Sequence, residues 1–246
     1  MNTADSIRVW QGFMNEEFQA KQSEFYQLLG SVFIPVTSQI MTPLGLQAYF
    51  PGILPYSSQQ MPDEIALVVY PSQETYYEAS RETVIGRAYG KLHGDVFNFS
   101  DNGNTPASWS KFPVKYANQT IQAHDCYYLS GASLDWSSLS MRCLCLEYKP
   151  SANDLTNTTT LIKSCHTLLG SENVSEIIIS VGETYCLVWI CSSEEITTPE
   201  PLQPSCNNQA FIDLTAQTKA VHPLWTLNDN GLAVSPENLY NITLTS

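Results

Sequence analysis

PDEIALVVYPSQETYYEASRETVIGRAYGKLH, residues 62–93, changes its hydrophobic period midway. Glu64 to Tyr70 is a near-continuous apolar run stopped by Pro71, the pattern of a buried strand. Ser72 then stands where a helix cap is wanted, with Glu74 in the first turn to suit the helix dipole. Beyond it Tyr77, Val84, Ala88, Leu92 and Val96 recur at helical spacing. Gly86 and Gly90 interrupt that stripe. Each costs a helix about 1 kcal/mol relative to alanine, so close packing or close approach of a flat ligand is their expected reason.

Upstream, Ile7 to Phe13 is apolar and rich in β-branched and aromatic residues, a first strand. Phe18, Phe25, Leu28, Leu29, Val32 and Phe33 share one helical face. Pro35 is expected to end or bend that helix near Val32 to Ile34. A second short helix runs from Thr37 to Met41, closed by Pro43 and Gly45. Leu46 to Leu54 reads as a strand broken by Pro51 and Gly52. The element order is β-α-β-β-α. Residues 98–110, NFSDNGNTPASWS, form a polar loop that begins a crossing segment, with one more strand at Asp125 to Leu129.

The same grammar returns downstream. Leu139 to Tyr148 is a strand with Met141, Cys143 and Cys145 on one face and Leu144 and Leu146 on the other. A helix starts near Asn153 or Asp154, buries Leu155, Ile162, Cys165 and Leu169, and stops at Gly170. Glu176 to Val181 and Thr184 to Ser192 are strands joined at Gly182-Glu183. A Pro-rich linker over residues 194–205, a helix from Ala210 to Val221, and a strand through Tyr240, Ile242 and Leu244 complete the chain. The expected fold class is α+β: two tandem ferredoxin-like β-α-β-β-α halves, residues 1–110 and 139–246, around a crossing segment 111–138. Whether the halves close into one α+β barrel is left open.

Composition narrows the function. The 246 residues are 43% hydrophobic and 11% aromatic, enough for a substantial core, and 14% charged, against roughly 25% in ordinary domains. A net charge of −13 repels phosphate backbones, so no nucleic-acid partner is expected. Arg81, Arg87, Lys91, Lys111 and Lys115 gather five of the 11 cations in one stretch, which either attracts an anion or is simply solvated. Seven cysteines, mostly inside apolar runs, point to a reduced, cytoplasmic protein. No leader pattern and no apolar run of membrane-spanning length is present, so no membrane partner is expected. The expected partner is a small-molecule ligand, and a homodimer is compatible with the chain.

Residues 62–93, together with the helix over residues 16–34, resemble the dimeric α+β barrel superfamily, which includes the cofactor-free antibiotic-biosynthesis-type monooxygenases. The resemblance covers roughly residues 7–97 and, by topology alone, 139–244. It implies paired ferredoxin-like sheets and a cavity between sheet and helices for a small, often aromatic ligand. The long loop at 98–125 and the Pro-rich linker depart from that pattern, and no site residue is carried over.

The candidate catalytic pair is Tyr89 and His93, four apart on one helical face, a phenol beside an imidazole able to move protons near neutrality. A helix-end histidine facing the dipole, with a packed tyrosine, is the plainer alternative. Tyr77, Arg87, Trp109 and Trp136 are candidate ligand-binding residues, Arg87 for an anionic or phenolate group. His124-Asp125-Cys126 is set aside because neighbours on a strand point to opposite faces. Cys143-x-Cys145 and Cys165-His166 lack the paired spacing of a metal site. No phosphate-binding glycine motif occurs, so neither a metal nor another cofactor is expected. The expected function is a small-molecule enzyme or binder that acts by proton transfer or cofactor-free oxygenation on a small aromatic or anionic ligand. A non-enzymatic interaction or ligand-sequestering protein on the same fold is the alternative.

Overall fold

The computed structural model describes residues 7–54, 61–100, 105–136, 139–147, 155–171, 173–194, 209–214 and 242–245. The protein is α+β, with two sheets in two compact units, one built on Asp5–Ser110 and the other on Lys111–Leu214. In the first, β1 (Ile7–Gly12), α1 (Gln22–Leu28), α2 (Ile34–Met41), β2 (Ala48–Ile53), β3 (Glu64–Val69), α3 (Gln73–Tyr77), α4 (Val84–Val96) and β4 (Trp109–Lys111) follow in order. The sheet order β2-β3-β1-β4 is the split βαβ arrangement. β4 emerges from the stretch expected to be only a polar loop.

Three local expectations are corrected here. β2 runs unbroken through Pro51 and Gly52, because it is an edge strand and a proline there removes no ladder bond. Pro35 does not end its helix; the disturbance expected of it is a π turn over Leu29–Phe33 that leads directly into α2, with Pro35 at the second residue of α2. The stripe through Tyr77, Val84 and Ala88 fails as well, with Val84 74% exposed. Thr83 is extended (φ −81°, ψ 148°) and caps α4 by accepting from the Gly86 N–H at 2.9 Å. That break resets the helical phase, so Gly86, Tyr89 and Val96 are the buried residues of α4.

Gly86 itself is demanded by packing. A Cβ there would collide with the Ala79 carbonyl, which belongs to backbone and cannot yield. Gly86→Ala is therefore expected to destabilise the protein by about 2 kcal/mol despite its better helix propensity. Urea denaturation checks this; an unchanged or raised midpoint refutes it.

The second unit holds β5 (Val114–Lys115), β6 (Cys126–Tyr128), β7 (Ser140–Glu147), α5 (Leu155–Leu169), β8 (Val174–Val181), β9 (Tyr185–Ser192) and β10 (Gln209–Leu214), with β11 (Ile242–Thr245) closing the sheet. Its order is β11-β10-β7-β9-β8-β6-β5, so β8-β9-β7-β10 repeats the first sheet. Leu144, Leu146, Ile177, Ile179, Val188 and Ile190 pack with Leu161, Ile162 and Cys165 of α5. The helix expected from Ala210 is instead β10, paired antiparallel with β7 from Gln209↔Leu146 to Leu214↔Met141; the remainder of that expected helix, residues 195–205 of the linker, and Tyr240 lie outside the described residues. The six described cysteines are buried, and no disulfide joins any two of them. No helix among the described residues is long and apolar enough to cross a membrane.

Candidate functional site

Alternation along the first sheet sets the site. Arg8 pairs with Val68 and Trp10 with Ala66, while Tyr49 pairs with Val68 across the other edge of β3. These residues and Glu64 therefore share one face. α1, α2 and α4 cover that face, with Phe25, Leu29, Phe33 and Tyr89 packed against Tyr49 and Ala66. Between sheet and helices lies a cavity of about 240 Å³, lined by Arg8, Trp10, Tyr49, Glu64, Tyr70, Tyr76, Tyr89, His93 and Phe99 among others.

Glu64 is the polar centre of this chamber and is fully buried. Trp10 donates its indole N–H to Oε2 at 3.0 Å, and Tyr49 donates its hydroxyl to Oε1 at 3.1 Å. Burial raises the carboxyl from 4.5 to about 7, because these two neutral donors offset only part of the lost hydration. The neighbouring Asp63 faces other partners, the Met14 N–H at 2.8 Å and the Tyr26 hydroxyl at 3.3 Å. Burial raises it as well, to about 6.

Tyr89 and His93 both line the cavity. Tyr89 hydrogen-bonds through its hydroxyl to Thr37, whose own hydroxyl donates to the Phe33 carbonyl at 2.8 Å. The Tyr89 proton thus goes to Thr37, and burial holds the phenol well above its ordinary value. His93 donates Nδ1–H to the Tyr89 carbonyl at 3.0 Å, which leaves Nε2 as the acceptor. Its ring stands edge-on to Tyr89 and Phe33, at 4.4 and 4.8 Å between centroids. Desolvation lowers it to about 4, outweighing that hydrogen bond, so the imidazole is neutral at pH 7. The cavity group poised near neutrality is Glu64.

The other candidates stand elsewhere. Arg87 is exposed and donates to the Arg81 and Glu82 carbonyls at 3.2 and 3.0 Å. Tyr77 lies under the Arg81 guanidinium, 4.2 Å from its ring centre. Trp109 is on β4 but not among the lining residues, and Trp136 is buried in the unit built on Lys111–Leu214. The cation at the cavity is Arg8, held by the Ser110 hydroxyl at 2.7 Å from Nη2 and lying 4.5 Å over the Tyr76 ring centre. Glu64, Trp10, Tyr49 and Arg8 escaped sequence reading. The one available signal was the phase of Glu64 with Ala66 and Val68, an acid on the small-residue face of an apolar strand. Among the described residues no group of three or more His, Cys, Asp or Glu could hold a metal ion.

No protein-family model matches the chain, and no curated protein does either. Among solved structures it is similar to a protein from Fusobacterium nucleatum subsp. nucleatum provisionally named a monooxygenase. That match has 7% identity and a TM-score of 0.41 over 88% of this chain and 94% of the other. A protein from Lactobacillus acidophilus, also provisionally named a monooxygenase, matches at 10% identity and a TM-score of 0.41, over 87% and 94%. An anthrone oxidase-like protein matches at 7% and 0.37, over 77% and 73%. Similarity at this level fixes neither family nor activity.

Proposed function

We propose that the cavity of the Asp5–Ser110 unit binds a small, largely apolar molecule and that Glu64 exchanges a proton with it. The observation that carries this reading is a fully buried carboxyl, oriented by Trp10 and Tyr49, facing an aromatic-walled space of about 240 Å³. An engineered apolar cavity of about 150 Å³ takes benzene, so this one suits one or two rings. A carboxyl pushed to about 7 is present in both protonation states near neutrality, which is what a general acid–base group requires. In its ionised form Glu64 would take a proton from an acidic X–H of the ligand, leaving the electron pair on the ligand. The two donors keep the carboxylate in place as it does so.

Gly90 offers a direct test. It lines the cavity, and a Cβ there would meet nothing within 4 Å. Gly90→Leu is expected to raise helix stability by roughly 0.5 to 1 kcal/mol and puts a bulky side chain at the cavity lining. Trp10 lies in the wall, so fluorescence titration with one- and two-ring compounds of each charge reads occupancy. Binding to the unaltered protein, weakened at least tenfold in the variant, supports the chamber. Equal binding by both places the ligand elsewhere. If a ligand binds and no compound is ever turned over, the protein sequesters rather than transforms.

A further inference from the structure

Resting on that reading of the cavity, we infer that its ligand is a small organic cation, a protonated amine whose N–H supplies the proton, held between the ring walls and the Glu64 carboxylate. Trp10, Phe33, Tyr49, Tyr70, Tyr76 and Tyr89 all line the space. Aromatic faces carry partial negative charge, and a desolvated cation over them is held more strongly than one in water. One cation already uses this wall: the Arg8 guanidinium lies 4.5 Å over the Tyr76 ring centre.

Glu64 supplies the second half of the argument. Its side-chain hydrogen-bond partners, Trp10 and Tyr49, are neutral donors. A carboxylate buried with neutral donors only is an expensive arrangement, and a ligand cation removes most of that cost. The groups facing it add no positive charge from the helix side. His93 is neutral, and Tyr89 on α4 is bonded to Thr37. Asp63, next in sequence, is turned to Met14 and Tyr26. Arg8 pairs with Val68, whereas Glu64 pairs with Gly12. Four residues of strand, on the order of 13 Å between Cα positions, therefore separate Arg8 from the row of Glu64, and the guanidinium is tied to the Ser110 hydroxyl and the Tyr76 ring. A net charge of −13 further favours the approach of cations.

The test compares three probes of similar size by titration calorimetry: phenyltrimethylammonium, its neutral isostere tert-butylbenzene, and phenylacetate. The cation is expected to bind at least tenfold tighter than either of the others at pH 8. Its affinity should fall about tenfold at pH 6, because the carboxyl pushed to about 7 must lose its proton to pair with it. Glu64→Gln should remove the preference for the cation and leave tert-butylbenzene unchanged. Equal or tighter binding of tert-butylbenzene would overturn the inference, leaving an apolar chamber. Tightest binding of phenylacetate would overturn it in favour of recognition by Arg8. If none of the three binds while another compound binds in a manner sensitive to Gly90→Leu, the cation inference fails and the chamber stands. If no compound of any charge binds, both readings fail.

Discussion

Glu64→Gln is expected to raise the stability of the protein at pH 8 by about 2 to 3 kcal/mol and to leave it nearly unchanged at pH 4. The carboxyl moves from 4.5 to about 7 on burial, a rise worth on the order of 3 kcal/mol between its two protonation states. The sign follows from proton binding. The folded state holds this proton more tightly than the unfolded chain, so its contribution is intact below pH 4.5 and is lost as pH climbs through 7. Glutamine has nothing to ionise, and its amide oxygen still accepts from Trp10 or Tyr49. The two stability curves should therefore coincide below about pH 4.5, separate between pH 4.5 and 7, and run parallel above that. Asp63, raised to about 6, acts in the same direction, and His93, lowered to about 4, acts oppositely by weakening the fold as pH drops below 6.5. Both remain in the variant and cancel from the difference. Denaturant titrations at pH 4, 6 and 8 measure it, and curves that stay parallel from pH 4 to pH 8 would show that Glu64 is not the buried acid described here. A gain in stability with a loss of ligand affinity is what a functional group maintained against the fold produces.

Glu176→Ala should have the opposite effect and a larger one, a loss of roughly 3 to 5 kcal/mol in the unit built on Lys111–Leu214. This side chain is 1% exposed. Its Oε1 accepts from the backbone N–H groups of Leu129 at 3.0 Å, Ser130 at 2.7 Å and Ile177 at 3.0 Å, and Oε2 from Gly131 at 2.5 Å. One carboxylate thus closes the turn after β6 onto β8, with Gly131 in the left-handed region at φ +77°. Removing it takes an acceptor from four amides; Leu129 keeps its bond to the Ile177 carbonyl at 3.0 Å, while each donor left unsatisfied costs about 1 to 3 kcal/mol before the structure relaxes. Hydrogen exchange should show the Ser130, Gly131 and Ile177 amides losing protection first. Retained protection with an unchanged unfolding midpoint would mean that water replaces the carboxylate without penalty.

Much of this was legible locally. The apolar run from Glu64 to Tyr70, the Ser72 cap and the alternating faces around Cys143 and Leu144 follow from side-chain period and hydrogen-bonding capacity, which neighbours in sequence decide. Ser72 does accept from the Thr75 N–H, at 3.0 Å, as a capping serine must. Tyr89 and His93, placed on one helical face by their spacing, do both line the cavity. What spacing could not convey was their protonation, since desolvation depends on Phe33 and Trp10 arriving from other elements.

The sequence alone determined the α+β class, the β-α-β-β order that opens both halves and the strand faces, because periodicity and capping act over a few residues. Three matters belonged to tertiary structure. Residues 209–214 are too short and too mixed to choose between helix and strand, and pairing with β7 chose for them. The phase of α4 was set by the bond from Gly86 to Thr83 and by close contact with Ala79. Glu64 reads as an ordinary polar start to a strand until Trp10, Tyr49 and the covering helices surround it. A carboxyl's affinity for its proton is a property of the space around it, and that space exists only once the chain has folded.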